Sequence, residues 1–338
     1  MKLLKTASIG IASLALAASV SSADTLDSIK KNGVLQCGVS TGISGFSSTD
    51  SNGKWVGLDV DMCKAVASAV FGDASKVKYV PLTAKERLTA LQNGEIDLLS
   101  RSTTWTHTRD TSLGLNFAGV NYYDGQGFLV SKDIGVTSAK ELDGATVCIQ
   151  AGTTTELNLT DYFKANKMTY KPITYDTSGQ TIEGFKSGRC DVVTSDASQL
   201  YGLKLKVKNP NAVMVLPEII SKEPLGPVVR QGDDKWFNIV KWSHIAMLNA
   251  EELGITQANV DSMLKSKNPN IKRLLGVSGK AGENLGLDAK WAYNIIKNVG
   301  NYGESFDKNV GKGSPLKIDR GLNKLWTNGG LQYGAPIR

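Results

Sequence analysis

Leu88–Ser100, LTALQNGEIDLLS, and Ile182–Thr194, IEGFKSGRCDVVT, match position by position at a spacing of 94 residues. Each carries apolar residues three apart, a glycine three residues later, an acid three further on, two apolar residues and a hydroxyl. An apolar helical face, a glycine suited to a helix C-cap and a short apolar run describe a helix, its cap and a buried strand. Thr83-x-x-Glu86 has the spacing of a capping box ahead of the first helix. Stacked solenoid units repeat every ~20–50 residues, so a longer period predicts two similar α/β lobes instead.

The surrounding sequence extends each copy. Val34–Val39 (VLQCGV) and Ala145–Gln150 (ATVCIQ) read as buried strands. Met62, Cys63, Val66, Ala67 and Val70 share one face of an amphipathic helix over Asp61–Phe71. Thr153-x-x-Glu156 is a second capping-box pattern, opening a helix toward Phe163. Strand alternating with helix predicts mainly parallel sheets flanked by helices, with ligands beyond the C-terminal ends of the strands. Three polar clusters fall there: Ser100-Arg101-Ser102-Thr103-Thr104, Thr194-Ser195-Asp196 and Gly152-Thr153-Thr154. Taken singly, each is ordinary loop and cap chemistry. Together they supply an arginine, a helix N-terminus and an acid. Arg109 offers a planar fork matched to a carboxylate. The free N–H groups at Thr153–Thr155 also favour an anion, and Asp196 suits an ammonium. The set matches a zwitterion, with a surface ion pair between Arg109 and Asp110 as the alternative.

The N-terminus sets the compartment. Lys2 and Lys5 precede an apolar stretch from Ala7 to Val20, followed by Ser21-Ser22-Ala23. This is the pattern of a secretory signal peptide over residues 1–23, cleaved after Ala23. The stretch is shorter than the roughly 20 apolar residues of a membrane span, and no cysteine follows it to carry a lipid. Removing Lys2 and Lys5 from 39 basic residues leaves 37 against 32 acids. That modest excess suits solubility and the steering of anions. The basic stretch Lys204–Lys208 lacks interleaved aromatics and reads as a solvated face, not a nucleic-acid site. With two histidines, His107 and His244, neither a histidine-rich metal site nor a Ser-His-Asp triad can be argued, and no cofactor is expected. No GxxxxGK[ST] motif occurs, so the chain does not itself bind ATP. GVSGKAG (Gly276–Gly282) has the wrong spacing and reads as a flexible loop. Trp105, Tyr122 and Tyr123 suit core or hinge packing. Cys37, Cys63, Cys148 and Cys190 suggest disulfides in an exported protein, but four cysteines allow three pairings and the sequence alone does not choose.

GLDVDMCKAVASAV (Gly57–Val70) fits every position of the signature of the amino-acid-binding proteins of ABC uptake systems, bacterial solute-binding family three. The resemblance runs from about Gly33 to Leu248. LSRSTTWT, GDD…W and the closing NYGESFDKNVGKGSPLKIDRGLNKLWTNGGLQYGAPIR resemble its general L-amino-acid-binding subgroup. The resemblance implies a two-lobed periplasmic-binding-protein fold (type II) with the ligand cleft between lobes that close about two crossover strands. The crossings are expected near Tyr122–Gly125 and Pro224–Val229. Lobe one then comprises residues 24–123 and 229–338, including a C-terminal extension expected to pack on it, and lobe two comprises residues 124–228.

Residue by residue, the resemblance gives Arg109, in the spacing Thr106-x-x-Arg109, the ligand α-carboxylate. Thr154, with its backbone N–H, gives the second carboxylate contact across the cleft, with Thr153 beside it at the helix start; Asp196 accepts the α-ammonium, and Ser102 and Thr104 add backbone and hydroxyl contacts to the same groups. Basic-specific members have an acid where Ser40 stands, and many have aromatics where Ile43 and Ala84 stand, so the side-chain pocket is expected to be broad. Arg101 replaces a small hydroxyl residue. It leans the pocket toward polar or acidic ligands, or it pairs with Glu86 and never touches ligand. Cys37–Cys63 and Cys148–Cys190 would keep each disulfide within one lobe and leave the hinge free. The expected role is a periplasmic, monomeric receptor delivering free L-amino acids to a membrane ABC permease. A dehydratase on the same scaffold, for which Glu86 is the only spare acid, and a chemotaxis receptor are the alternatives.

Overall fold

The computed structural model describes residues 24–338, and the expected signal peptide lies outside the described residues. The two echoing segments fold alike. The helix Arg87–Gln92 ends with Gly94 in the left-handed conformation, Gly94 N–H donating to Leu91 O (3.2 Å) and Glu95 N–H to Ala90 O (3.0 Å). The helix Ser178–Lys186 ends identically at Gly188, with Gly188 N–H to Phe185 O and Arg189 N–H to Gly184 O, both 3.0 Å. This paired closure needs φ > 0 at the residue after the cap, which glycine adopts without strain. The acid that follows also does the same work twice. Asp97 accepts the N–H of Gln36 (2.9 Å) and Asp191 that of Thr146 (2.8 Å), so each clips the start of the neighbouring strand.

Each lobe holds a five-stranded sheet of the same order. In the first, Val77–Leu82, Leu35–Ser40, Leu98–Leu99, Val228–Arg230 and Leu115–Phe117 lie side by side. In the second the order is Lys171–Tyr175, Thr146–Gln150, Val192–Asp196, Gln126–Ser131 and Val213–Val215. The first three strands of each are parallel, and the fourth is antiparallel to both its neighbours. In both sheets that reversed strand is the one reached directly from the other lobe. The expected boundary between 228 and 229 falls inside a strand, because Val228 is already paired with Leu99 and Phe117 of the first sheet. Cys37–Cys63 and Cys148–Cys190 are disulfide-bonded, the first tying a strand to the helix Leu58–Phe71 and the second tying a strand to the loop before Val192.

The helix expected at Asp61–Phe71 starts three residues earlier, at Leu58, and is buried on nearly every side. It is not amphipathic in place. The helices Asp234–Glu252 and Trp291–Asn298 pack on it, and Ala65, Ala67, Ser68 and Ala69 let them approach. Trp291, Ile295, Ile296, Tyr302 and Phe306, all beyond Glu252, are part of the lobe-one core. Among the described residues no helix is long and apolar enough to cross a membrane. Gly276–Gly282 is a built turn, not a loose loop: Gly276 caps the helix Pro269–Leu274, and a Cβ there would lie 1.8 Å from Ala289 O.

Between the sheets the chain crosses at Tyr122–Asp124 and Glu223–Leu225, which pair antiparallel. Tyr123, opposite Pro224, turns its N–H and C=O outward, and both bond the Asn323 side chain (2.7 and 3.1 Å). The Tyr302 hydroxyl donates to Asn121 O (2.8 Å), and His244 Nε2 and Gln332 Nε2 both donate to Val120 O. Burial lowers the His244 imidazole to about 4, which keeps it neutral. Tyr122 packs between Phe46 and Phe306, while Trp105 stacks on Phe117.

Candidate functional site

The strand Leu98–Leu99 runs out into Ser100–Thr104, and this loop is held from beneath by a buried acid. Asp59, in the first turn of the helix Leu58–Phe71, accepts Ser102 N–H (2.8 Å), Ser102 O–H (3.0 Å) and Ser100 O–H (3.3 Å). These bonds hold Ser102 at φ 41°, a conformation unusual for a side-chain-bearing residue. Burial raises the Asp59 carboxyl, and the Ser102 and Ser100 bonds oppose that rise. The N–H and O–H protons of Ser102 are thus committed to Asp59, and what its side chain has left to offer is lone pairs.

Arg109 sits in the short helix His107–Thr111, capped by Thr106, whose hydroxyl accepts Arg109 N–H (3.3 Å). Its guanidinium is buried and donates through Nη1 to Thr104 O (2.9 Å). It is not a surface partner of Asp110. Burial lowers its pKa, and the charges of Glu223 and Asp196 oppose that. Arg101 is 2% exposed and donates through Nε to Leu82 O (3.0 Å) rather than to Glu86, leaving Nη2 buried without a partner. Burial brings Arg101 down to about 10 against the pull of Asp59 and Asp196. A third guanidinium, Arg87, is equally buried and donates to Arg101 O (3.3 Å), Ser102 O (3.4 Å) and Thr103 Oγ1 (3.4 Å). Among the described residues none of the three makes a direct ion pair.

The facing lobe supplies the complement. The helix Thr154–Ala165 directs its unbonded N-terminal N–H groups toward this end of its sheet. Its cap differs from the expected box. The Thr153 hydroxyl donates to Gln150 O (2.7 Å), while the Glu156 carboxylate accepts Gly152 N–H (2.8 Å). Thr154 Oγ1 lies 3.3 Å from Thr104 Oγ1 across the cleft and donates to Glu223 Oε2 (3.0 Å). Glu223, 1% exposed on the second crossover strand, also accepts from Asn158 Nδ2 (2.6 Å) and Ser221 Oγ (2.7 Å). Asp196 ends the strand Val192–Asp196 and accepts from Gln199 Nε2 (2.7 Å). Burial, then Asp124 and Glu223, push its carboxyl well up. Asp124, raised by burial to about 6, is held by Ser198 and by Gly125 N–H.

Further contacts close the rim. Lys85 pairs with Asp176 (2.8 Å) at an exposed edge, and a Cβ on Gly202 would lie 3.2 Å from Ser44 Cβ. Ser40 is buried at the end of its strand, its N–H on Ser47 Oγ (2.9 Å) and its own Oγ accepting Gly42 N–H (3.3 Å). Ile43 and Ala84 are buried too. The structure thus joins Arg109, Thr104 and Thr154 in one contact chain, with Arg101 and Asp196 in its electrostatic field. It adds Asp59, Arg87, Asp124 and Glu223, whose only signal in the sequence is a charge inside or beside an apolar run.

Residues 35–253 match the profile of the bacterial extracellular solute-binding proteins, family 3. The chain belongs to that family. Family-3 relatives match along its whole length. It is 60% identical to the general L-amino acid-binding periplasmic protein AapJ of Rhizobium johnstonii, over 99% of both chains. It is 53% identical to the glutamate/glutamine/aspartate/asparagine-binding protein BztA of Rhodobacter capsulatus, over 97% of both. A solved structure of an ABC transporter periplasmic binding protein from Brucella ovis with glutathione bound is 60% identical. It superposes with a TM-score of 0.92 over 94% of this chain and 100% of that one. The family and these relatives are solute-binding proteins, not enzymes.

Proposed function

We propose that this chain is a periplasmic receptor, exported by a cleaved signal peptide, that binds free L-amino acids between two closing lobes and delivers them to a membrane ABC permease. One observation carries the ligand class. Arg109 is buried without an ion-pair partner, beside a helix N-terminus and within the field of a buried Asp196. An α-carboxylate at the first two and an α-ammonium at Asp196 would satisfy groups that are costly to bury alone. The relatives support this reading, since AapJ and BztA are named for amino acids. Arg101 supports a lean toward acidic side chains, because its Nη2 is buried and unpartnered.

Calorimetric titration of the mature protein with the twenty L-amino acids and D-glutamate tests the proposal. Binding of several chemically different L-forms, with D-glutamate silent, is the expected result; no binding by any of them overturns it. An Arg101→Ala protein should lose its advantage for glutamate and aspartate over neutral ligands, and an unchanged panel removes Arg101 from the pocket.

Glutathione is a second candidate ligand, on the strength of the Brucella ovis protein that holds it. It carries a free L-glutamyl end that the same clamp can grip, so it belongs in the titration. A dehydratase has less support. The Glu86 carboxylate is exposed and held below its usual range by the N–H and hydroxyl of Thr83, the opposite of a general acid tuned upward.

A further inference from the structure

The hydroxyls at the end of the strand Leu98–Leu99 and at the start of the facing helix have already committed their protons. Ser102 and Ser100 both point an oxygen at Asp59, at 3.0 and 3.3 Å. A carboxylate only accepts, so each serine's single O–H proton is spent there. Thr154 Oγ1, 3.0 Å from Glu223 Oε2, spends its proton the same way. Thr154 then has none left for Thr104, 3.3 Å away, and Thr104 must be the donor in that contact. What Ser102 and Thr104 retain is lone pairs. On the amino-acid reading they stand with the Asp196 carboxylate as three acceptors, the number of N–H bonds an α-ammonium offers. The protons for an α-carboxylate come from elsewhere, from the Arg109 fork and the helix N-terminus.

We propose that Glu223, which the ligand need not touch, is a positioning residue that sets the hydrogen-bond polarity of the cleft and so makes it select an α-amino acid over the α-hydroxy acid with the same side chain. This rests on the amino-acid reading above and adds a group that enforces it. A hydroxyl ligand brings one proton, no charge and two lone pairs of its own, which meet the lone pairs of the committed hydroxyls. Replacing Glu223 by its amide changes that. In Glu223→Gln the new amide can donate to Thr154 Oγ1 and release its proton to Thr104. The Thr104 hydroxyl is then able to turn to suit a hydroxyl ligand.

The test compares L-glutamate with L-2-hydroxyglutarate, and L-alanine with L-lactate, on the wild-type protein and on Glu223→Gln, by calorimetry. The wild-type protein should prefer the amino acid in each pair. In Glu223→Gln the preference should narrow by roughly tenfold, about the worth of one hydrogen bond to a charged group, with the hydroxy acid holding or tightening while the amino acid weakens. A merely structural role would weaken both ligands of a pair by one factor, and that outcome, or an unchanged ratio, overturns the proposal. If Glu223→Gln fails to unfold cooperatively, Thr104→Val removes one acceptor without touching the acid, and it should narrow the ratio likewise. A ratio unchanged in Thr104→Val also overturns the proposal. A wild-type protein that binds neither amino acid overturns the amino-acid reading and this proposal with it, whereas one that binds L-glutamate while Glu223→Gln keeps its selectivity overturns the proposal alone.

Discussion

Three arginines share one buried wall, yet only Arg109 stands beside the helix N-terminus of the opposite lobe through Thr104 and Thr154. Its planar fork is matched to a carboxylate in a way that a lysine's point charge is not. Arg109→Lys is therefore expected to weaken L-amino-acid binding by roughly 100-fold, as removal of a buried charge-assisted pair does elsewhere, with little change in the unfolding midpoint of the ligand-free protein. Calorimetry and thermal melting together check this. Near-wild-type affinity would show that the carboxylate is held elsewhere. Arg109, Thr154, Thr104 and Asp196 could be singled out in the sequence because they fall at or just past strand ends, where polar residues have few structural duties. Asp59, Arg87 and Glu223 were not. Asp59 sits one residue into a helix and looks like ordinary N-terminal helix chemistry; only burial and three donors give it another meaning.

At the scale of elements the duplicated unit is a stability device. The carboxylates of Asp97 and Asp191 each clip a strand start, remote from the cleft residues. Asp97→Ala should destabilise by about 1–2 kcal/mol, as an unmade buried hydrogen bond does, and the more exposed Asp191→Ala by less, while ligand affinity stays unchanged. Urea unfolding gives the first quantity and titration the second. The crossover strands carry a different device. Asp124 is raised to about 6 by burial, and Asp196 is pushed well up by burial and by the charges of Asp124 and Glu223, against the pull of Arg87. Folded values above the ordinary 3.8 mean that these acids favour the ligand-free fold when protonated. That stability is fully present below pH 3.8 and is lost as the pH rises through about 6. A bound ammonium favours the ionised acids instead. Affinity for an amino acid should thus rise from about pH 5 to about pH 7, with protons released on binding. Titrations in buffers of different ionisation enthalpy read that release, and proton uptake would contradict the assignment.

The molecule as a whole is more than its two matching lobes. The segment beyond Glu252 puts Trp291, Ile295, Ile296 and Phe306 into the core of the first lobe. It also reaches the crossover strand through Tyr302, Asn323 and Gln332. Trp291→Ala is expected to cost about 3–5 kcal/mol, the usual range for truncating a buried aromatic, measured by denaturant unfolding. A loss under about 1 kcal/mol would mean the extension is a dispensable appendage. From the sequence the two-lobed α/β architecture and the polar loops at its strand ends were open to view, and the within-lobe disulfides followed once the family pattern was matched. Each of these depends on local periodicity, on a glycine that must take a positive φ, on a pattern shared with a family, or on polar residues at predictable strand ends. The tertiary structure alone decided that the helix Leu58–Phe71 is wrapped rather than half exposed, that the extension grips the crossover, and that Asp59 and Glu223 orient the hydroxyls of the cleft. Those facts depend on which distant segments meet, and burial turns a charge that looks incidental in the chain into one that its neighbours must answer.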